Sequence, residues 1–239
     1  HGLDQYRAWG VHFDVGVITN ITHEHLDYHK TWENYFQAKA KLIKQVKLAI
    51  LNRTEDHYGR LCRLTSGKVV SFGLTKQADF NPIKFPFKLV IPGQYNVLNA
   101  LAASAVAVHF GVDTKIIKRT LENFSSLEGR MNEIKNTRGI KIVVDFAHTP
   151  NALKEALQAL RSLTPGRLIA VFGAAGARDI EKRALMGEIS ARFADITVIT
   201  SEDPRGELDQ INAQILEGAQ KAKGELGKNV YIEGDRGKA

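Results

Sequence analysis

Residues 168–200 read LIAVFGAAGARDIEKRALMGEISARFADITVIT, and this stretch decides the fold class. Its first five residues form a short apolar run of the length of a buried strand. Gly173 and Gly176 interrupt the run, residues 181–193 read as a helix, and residues 196–200 form a second apolar, partly β-branched run. A strand, a helix and a strand in immediate succession argue for a parallel sheet covered by helices. Working outward, residues 207–222 read as a further helix and 230–232 as a last strand, while 140–144 form a β-branched run ahead of a helix over 150–163. The same alternation runs through the first half: strands at 15–19, 48–51 and 69–72, helices at 31–46, 96–110 and 113–124. Thr31 and Asn34 offer capping chemistry at the start of the first of these helices. The pattern restarts after Ser125 and Ser126, which places a boundary near Leu127 and predicts an α/β chain of two domains, 1–127 and 128–239.

The chain has 239 residues, 44% hydrophobic and 25% charged, the profile of a soluble globular protein. No apolar run reaches the roughly 18 residues a membrane span needs, so no membrane insertion is expected. A single cysteine, Cys62, excludes an internal disulfide and fits a reducing cytoplasm. Net charge is 33 − 26 = +7, which suits nucleic acid or polyphosphate substrates. The basic residues are scattered without a dense block interleaved with aromatics, so nucleic-acid binding is not expected. The first residue is His1 rather than Met, which reads as a truncation.

In an open α/β sheet, ligands gather at the carboxyl ends of the strands. Four such ends carry more polar chemistry than a turn requires. The first is Thr19-Asn20-Ile21-Thr22-His23-Glu24-His25-Leu26-Asp27-Tyr28-His29, whose histidines and carboxylates could hold a metal, though a solvated polar loop has the same composition. The spacing is not that of a zinc site. The second, Asp145-Phe146-Ala147-His148-Thr149-Pro150, could position a phosphate or a base, or cap the helix that Pro150 opens. The third is the glycine-containing turn from Phe172 to Asp179, where Arg178 supplies charge and the backbone can approach an anion. The fourth, Ser201-Glu202-Asp203-Pro204-Arg205, sets two carboxylates beside a guanidinium, suited to a zwitterion but equally to a solvated turn. No segment completes the phosphate-loop pattern GxxxxGK[ST], so a phosphate loop for ATP is expected outside these residues.

Taken together and in order, these segments resemble the Mur ligases, and among them the tripeptide-synthetase branch. His1-Gly2-Leu3-Asp4-Gln5-Tyr6-Arg7 is similar to the end of the family's SSHGLxQxR stretch, residues 19–29 to TNxxxDHLDYH, and residues 35–42 to the segment bearing a modified lysine. Residues 93–100 resemble GxxNxxNxxAA, Gly129-Arg130-Met131 the GRM motif, and residues 144–150 the DYAHTP box. Residues 172–187 resemble FGxxGxRDxxKRxxMG, and Asp235-Arg236 a late DR.

The resemblance implies the back of a central ATP-binding domain followed by a Rossmann-like amino-acid-binding domain with a mostly parallel sheet. It implies a cytoplasmic, monomeric, ATP- and Mg²⁺-dependent ligase. Such an enzyme phosphorylates the terminal carboxylate of a UDP-N-acetylmuramoyl-dipeptide and then joins it to an amino acid, diaminopimelate or lysine, in peptidoglycan synthesis. His25 matches a magnesium-holding histidine and Lys39 the lysine carried as a carbamate, an anionic oxygen ligand suited to a hard cation. Without the resemblance, Lys39 is one more helical lysine. Asn96 and Asn99 match adenine-side contacts, with capping of an alanine-rich helix as the alternative. Arg130, Asp145 and His148 match nucleotide contacts of the last domain, Gln5 and Arg7 match contacts to the uridine substrate, and Arg178, Glu202, Asp203 and Arg205 fall where the incoming amino acid is read.

Several departures accompany the match. The phosphate loop, a magnesium-binding Glu and the UDP-binding domain would precede His1, and part of the amino-acid pocket would follow Arg236. The isolated chain is therefore expected to be inactive. The segment between Phe72 and Gly93 is short, as though a hairpin were trimmed. Relatives that add meso-diaminopimelate carry DNPR where this chain has Glu202-Asp203-Pro204-Arg205, which changes what the pocket donates and accepts. The alternatives are a folylpolyglutamate- or cyanophycin-type ligase, or a non-catalytic binding protein on the same scaffold.

Overall fold

The computed structural model describes residues 1–22, 26–125, 127–177 and 179–239, with residues 26 and 27 described in backbone only. The chain divides into two compact units, His1–Ser125 and Ser126–Ala239.

The first unit is built on three parallel strands, β1 (Val15–Ile18), β2 (Leu48–Asn52) and β3 (Lys68–Phe72), in the order β1-β2-β3. The central strand, β2, is buried along its whole length. Its side chains alternate between faces, as the period of two requires. Ala49 and Leu51 join Tyr35, Phe36, Ile43 and Leu61 in one core, whereas Leu48 and Ile50 join Phe72, Leu101 and Ala105 in another. A strand apolar up to its last residue is thus explained by two apolar partners, each large side chain contributing about 1.5–3 kcal/mol on burial.

The first face is covered by α2 (Trp32–Ala40) and α3 (Tyr58–Leu64), which follow a single turn, α1 (Leu26–His29). Thr31 caps α2 by accepting the Asn34 amide at 3.1 Å, as expected. The helix expected over 31–46 tightens after Ala40 into a 3-10 turn, Lys41–Ile43. There Leu42 and Ile43 press on β1 at Gly16, where an added Cβ would come within 3.3 Å of both side chains. The second face is covered by α4 (Gln94–His109), followed by α5 (Thr114–Asn123). The start of α4 lies two residues ahead of expectation because Gly93, at φ 104°, makes the entry turn. Between Phe72 and Gly93 the described chain forms a single bridge, Phe72 to Phe80, braced by Asp79 accepting both the amide and the hydroxyl of Ser71.

The second unit holds a parallel sheet of β6 (Ile169–Phe172), β7 (Ile196–Ile199) and β8 (Val230–Ile232) in that order. Ahead of it in sequence, β4 (Asn132–Ile134) and β5 (Ile142–Val144) form an antiparallel hairpin. The β-branched run at 140–144, expected in the parallel sheet, therefore pairs locally. Asn136 ties the hairpin by donating to the carbonyls of Ile134 and Ile140. The helices are α6 (Pro150–Arg161), α7 (Glu181–Phe193) and α8 (Leu208–Lys221). Thr149 caps α6 and Pro150 occupies its first turn. Helices α7 and α8 cross backbone to backbone: a Cβ at Gly187 would lie 1.9 Å from the Ile215 carbonyl, and one at Gly218 would lie 1.8 Å from that of Ala184. Among the described residues, no helix is long and apolar enough to cross a membrane.

Candidate functional site

In the first unit, polar side chains converge on the carboxyl end of β1. Parallel pairing sets Ile18 against Leu51, so the next residues, Thr19 and Asn52, emerge side by side. The side-chain amide of Asn52, a residue only 6% exposed, donates to the Thr19 carbonyl at 3.0 Å. Its oxygen accepts from both the amide and the hydroxyl of Thr54. From α2, Lys39 reaches back and donates to the Asn20 carbonyl at 2.9 Å, its ammonium 5.1 Å from the centre of the Tyr35 ring. From the loop after β2, Glu55 accepts the Ile21 amide at 3.2 Å. Three consecutive residues of one turn are thereby each held by a side chain from elsewhere. Burial pushes the Glu55 carboxyl above its ordinary range, and the Ile21 amide and nearby His57 and Lys39 oppose that rise in part. Asn52 and Glu55 were not singled out in the sequence. The available signal was an amide ending an otherwise apolar strand.

The remaining residues expected in this unit are more dispersed. His25, expected at a metal, lies outside the described residues, as do His23 and Glu24. Among the described residues, no group of three or more His, Cys, Asp or Glu side chains is placed to hold a metal. Asn96 does not cap α4; it lies within the first turn and its amide donates back to the Pro92 carbonyl at 2.6 Å, while Asn99 is exposed on the same helix. Gln5 is half-buried and Arg7 exposed in a run of turns that Asp4 fastens to Lys41. That ion pair holds the Asp4 carboxyl below and the Lys41 ammonium above their usual ranges.

In the second unit, Asp145 follows β5 and organises two turns. One of its oxygens accepts the Met131 amide at 2.7 Å and the other the Ala147 amide at 2.9 Å. The capping alternative for this segment holds through Thr149, which caps α6, while Asp145 is left to brace the two turns. The Arg130 guanidinium lies 4.3 Å from the centre of the Phe146 ring, and the His148 ring packs edge-on to that of Phe146 at 4.7 Å. Nδ1 of His148 is 3.1 Å from the Phe146 carbonyl, and Lys182 donates to the His148 carbonyl. Arg130 and His148 therefore flank one exposed aromatic ring, and Asp145 braces the backbone beside it.

The turns after β6 and β7 meet. Gly176 donates to the Asp203 carbonyl at 2.8 Å, and Arg236 donates to the Ser201 carbonyl at 2.9 Å. Glu202 is exposed, and Arg205 pairs with Asp203 of its own turn through both Nε and Nη2. Arg178 lies outside the described residues. The arrangement offers charges of both signs over a short span of backbone, the chemistry a zwitterion requires.

Comparison with known proteins decides the family. The Mur ligase middle domain profile matches residues 1–107, and the Mur ligase, glutamate ligase domain profile matches residues 129–239. The chain belongs to the Mur ligases. The Mur ligase chain is 39% identical over its whole length to the UDP-N-acetylmuramoyl-L-alanyl-D-glutamate--2,6-diaminopimelate ligase of Synechocystis, of which it covers 52%. It spans about half the length of the curated relatives it matches. A solved structure of a ligase of that name superposes over 99% of the Mur ligase chain and 53% of its own, with a TM-score of 0.59 and 29% identity. A crystal structure of MurF from Acinetobacter baumannii shares the fold, with a TM-score of 0.72 and 19% identity over 95% of this chain and 51% of its own.

Proposed function

We propose that the protein to which this chain belongs is an ATP-dependent amide ligase that adds the third amino acid, diaminopimelate or lysine, to UDP-N-acetylmuramoyl-L-Ala-D-Glu. The observation that carries this reading is the 39% identity to a diaminopimelate ligase along the whole chain. The placement of Lys39 at the carboxyl end of β1 supports it.

A carboxylate acylates poorly at neutral pH. Transfer of the γ-phosphoryl group of ATP to the terminal carboxylate of the dipeptide forms an acyl phosphate and releases ADP. The amine of the incoming amino acid attacks the acyl carbon, the C–O bond to phosphate breaks, and the amine proton leaves with the collapse of the tetrahedral adduct. The protein's part is to position the partners and to balance charge on the phosphoryl oxygens.

As an ammonium, Lys39 ligates no cation. Reaction of its neutral amine with CO₂ forms a carbamate and releases a proton, leaving one negative charge shared by two oxygens, and one N–H. That N–H still suits the Asn20 carbonyl, and the oxygens suit a hard cation, so the residue fits Mg²⁺. Bound there with His25, Mg²⁺ would supply charge neutralisation for the phosphate oxygens. Asn96 and Asn99 are assigned to the adenine side of ATP, and Arg130, Asp145 and His148 to its nucleotide. Gln5 and Arg7 are assigned to the uridine substrate, and Arg178, Glu202, Asp203 and Arg205 to the amino acid. Because Arg205 is already paired with Asp203, the turn presents less net positive charge than its guanidinium alone would.

The test is a ligase assay on the full-length protein with ATP, Mg²⁺ and the UDP-muramoyl-dipeptide, offering lysine and meso-diaminopimelate in parallel and reading product mass. A gain equal to one amino acid less water is expected. No gain with either, from folded protein that binds ATP, would overturn the reading.

A further inference from the structure

Arg183, on α7, is 0% exposed and leads the fully buried side chains in size. A charge in that position is costly unless it is paired and hydrogen-bonded. Its Nη1 donates to Gln214 at 2.8 Å, and its Nη2 donates to Glu207 at 2.7 Å and lies 3.4 Å from the Ala175 carbonyl. Its Nε is without a hydrogen-bond partner among the described residues. The second oxygen of Glu207 accepts the Ala177 amide at 3.1 Å. One carboxylate thus joins a buried guanidinium to the turn after β6.

That turn has no freedom of its own against the next one. A Cβ at Gly173 would lie 2.2 Å from the Thr200 carbonyl, and one at Gly176 would lie 2.2 Å from that of Pro204. Gly176 donates to Asp203, and Glu207 closes the second turn by donating its amide to Pro204. Residues 201–205 therefore rest backbone to backbone on residues 173–177, which in turn hang on Arg183 and Glu207.

We propose that buried Arg183, paired with the partly exposed Glu207, is a positioning device for amino-acid recognition: it touches no ligand, but sets where Glu202, Asp203 and Arg205 stand. Buried ion pairs are often no more stable than apolar replacements, so the value of this one lies in direction: a planar guanidinium fork orients its partners. The inference rests on the proposed reading that residues 201–205 receive the incoming amino acid.

The test uses the full-length ligase with Glu207→Gln, which keeps the shape and an acceptor, and Arg183→Lys, which keeps the charge without the fork. Thermal melting and amide exchange at Gly176 and Ala177 accompany the kinetics. The expected result is a rise of about tenfold or more in KM for the amino acid, the scale on which misplaced contacts act. KM for ATP should stay within about twofold, kcat at saturating amino acid should be largely retained, and exchange at the two amides should accelerate. Melting that falls while the amino-acid KM stays unchanged would overturn the inference and leave the pair a packing element. Wild-type protein that forms no product with any amino acid would instead overturn the ligase reading on which it stands.

Discussion

Lys39 illustrates how little a residue's type says about its use. It is one of many lysines in the chain, and its distinction comes from the Asn20 carbonyl that receives it. Replacing it with Arg keeps a cation but forbids carbamate formation. In the full-length ligase this variant is expected to lose about 10²-fold or more in kcat, the scale of removing one preorganised charge-stabilising group. Added bicarbonate should raise wild-type turnover in CO₂-depleted buffer and leave the variant unmoved. Steady-state assays with and without bicarbonate check both outcomes.

Glu55 supports a second prediction at this scale. Its carboxyl is raised above the ordinary 4.5 by burial, so folding favours the protonated form. The stability it contributes is fully present below its unfolded pKa and is lost as pH rises through the folded value. Glu55→Gln, which still accepts the Ile21 amide, should therefore stabilise the chain relative to wild type above that range and lose the advantage below it. Denaturant melts between about pH 3 and 8 would show the difference closing on acidification, and a constant difference would contradict the assignment.

The elements are held by contacts that tolerate little change. At the α7–α8 crossing, Gly218 has a carbonyl where a Cβ would go, so Gly218→Ala should cost about 1–3 kcal/mol through forced separation of the helices. Urea denaturation would report it as a lower midpoint at unchanged slope. Thr149→Ala, which removes the cap of α6, should cost about 1 kcal/mol by the same measurement. Element types were legible because strand and helix periods differ, and because Thr31, Asp113 and Thr149 carry their capping chemistry locally. The short helix α3 carries little sequence signal, having a single fully buried residue, Leu61, and no side-chain cap. The antiparallel partner of β5, β4, is equally illegible, since a three-residue strand has too few alternations to show a face.

Each unit of the whole chain has its own core, so unfolding should not be two-state. Calorimetry of the 239-residue chain should give a measured enthalpy larger than the van't Hoff enthalpy, and equality would mean the units melt as one. The pure chain, which contains no GxxxxGK[ST] segment, is also expected to release no phosphate from ATP. Robust substrate-dependent release would contradict this.

The amino-acid sequence by itself determined the α/β class, the restart after Ser125, and the segments whose order marks a Mur ligase, because periodicity, capping and motif order are properties of neighbours along the chain. Tertiary structure decided which of those residues act together. Asn52 meets Thr19 through parallel register alone, and Glu55 reaches Ile21 across 34 positions of sequence. Arg183 finds Glu207 where two glycine-faced helices pack closely enough to bury the guanidinium. Such pairings depend on register and helix crossing, which are set by packing against the whole core and leave no periodic trace in the residues themselves.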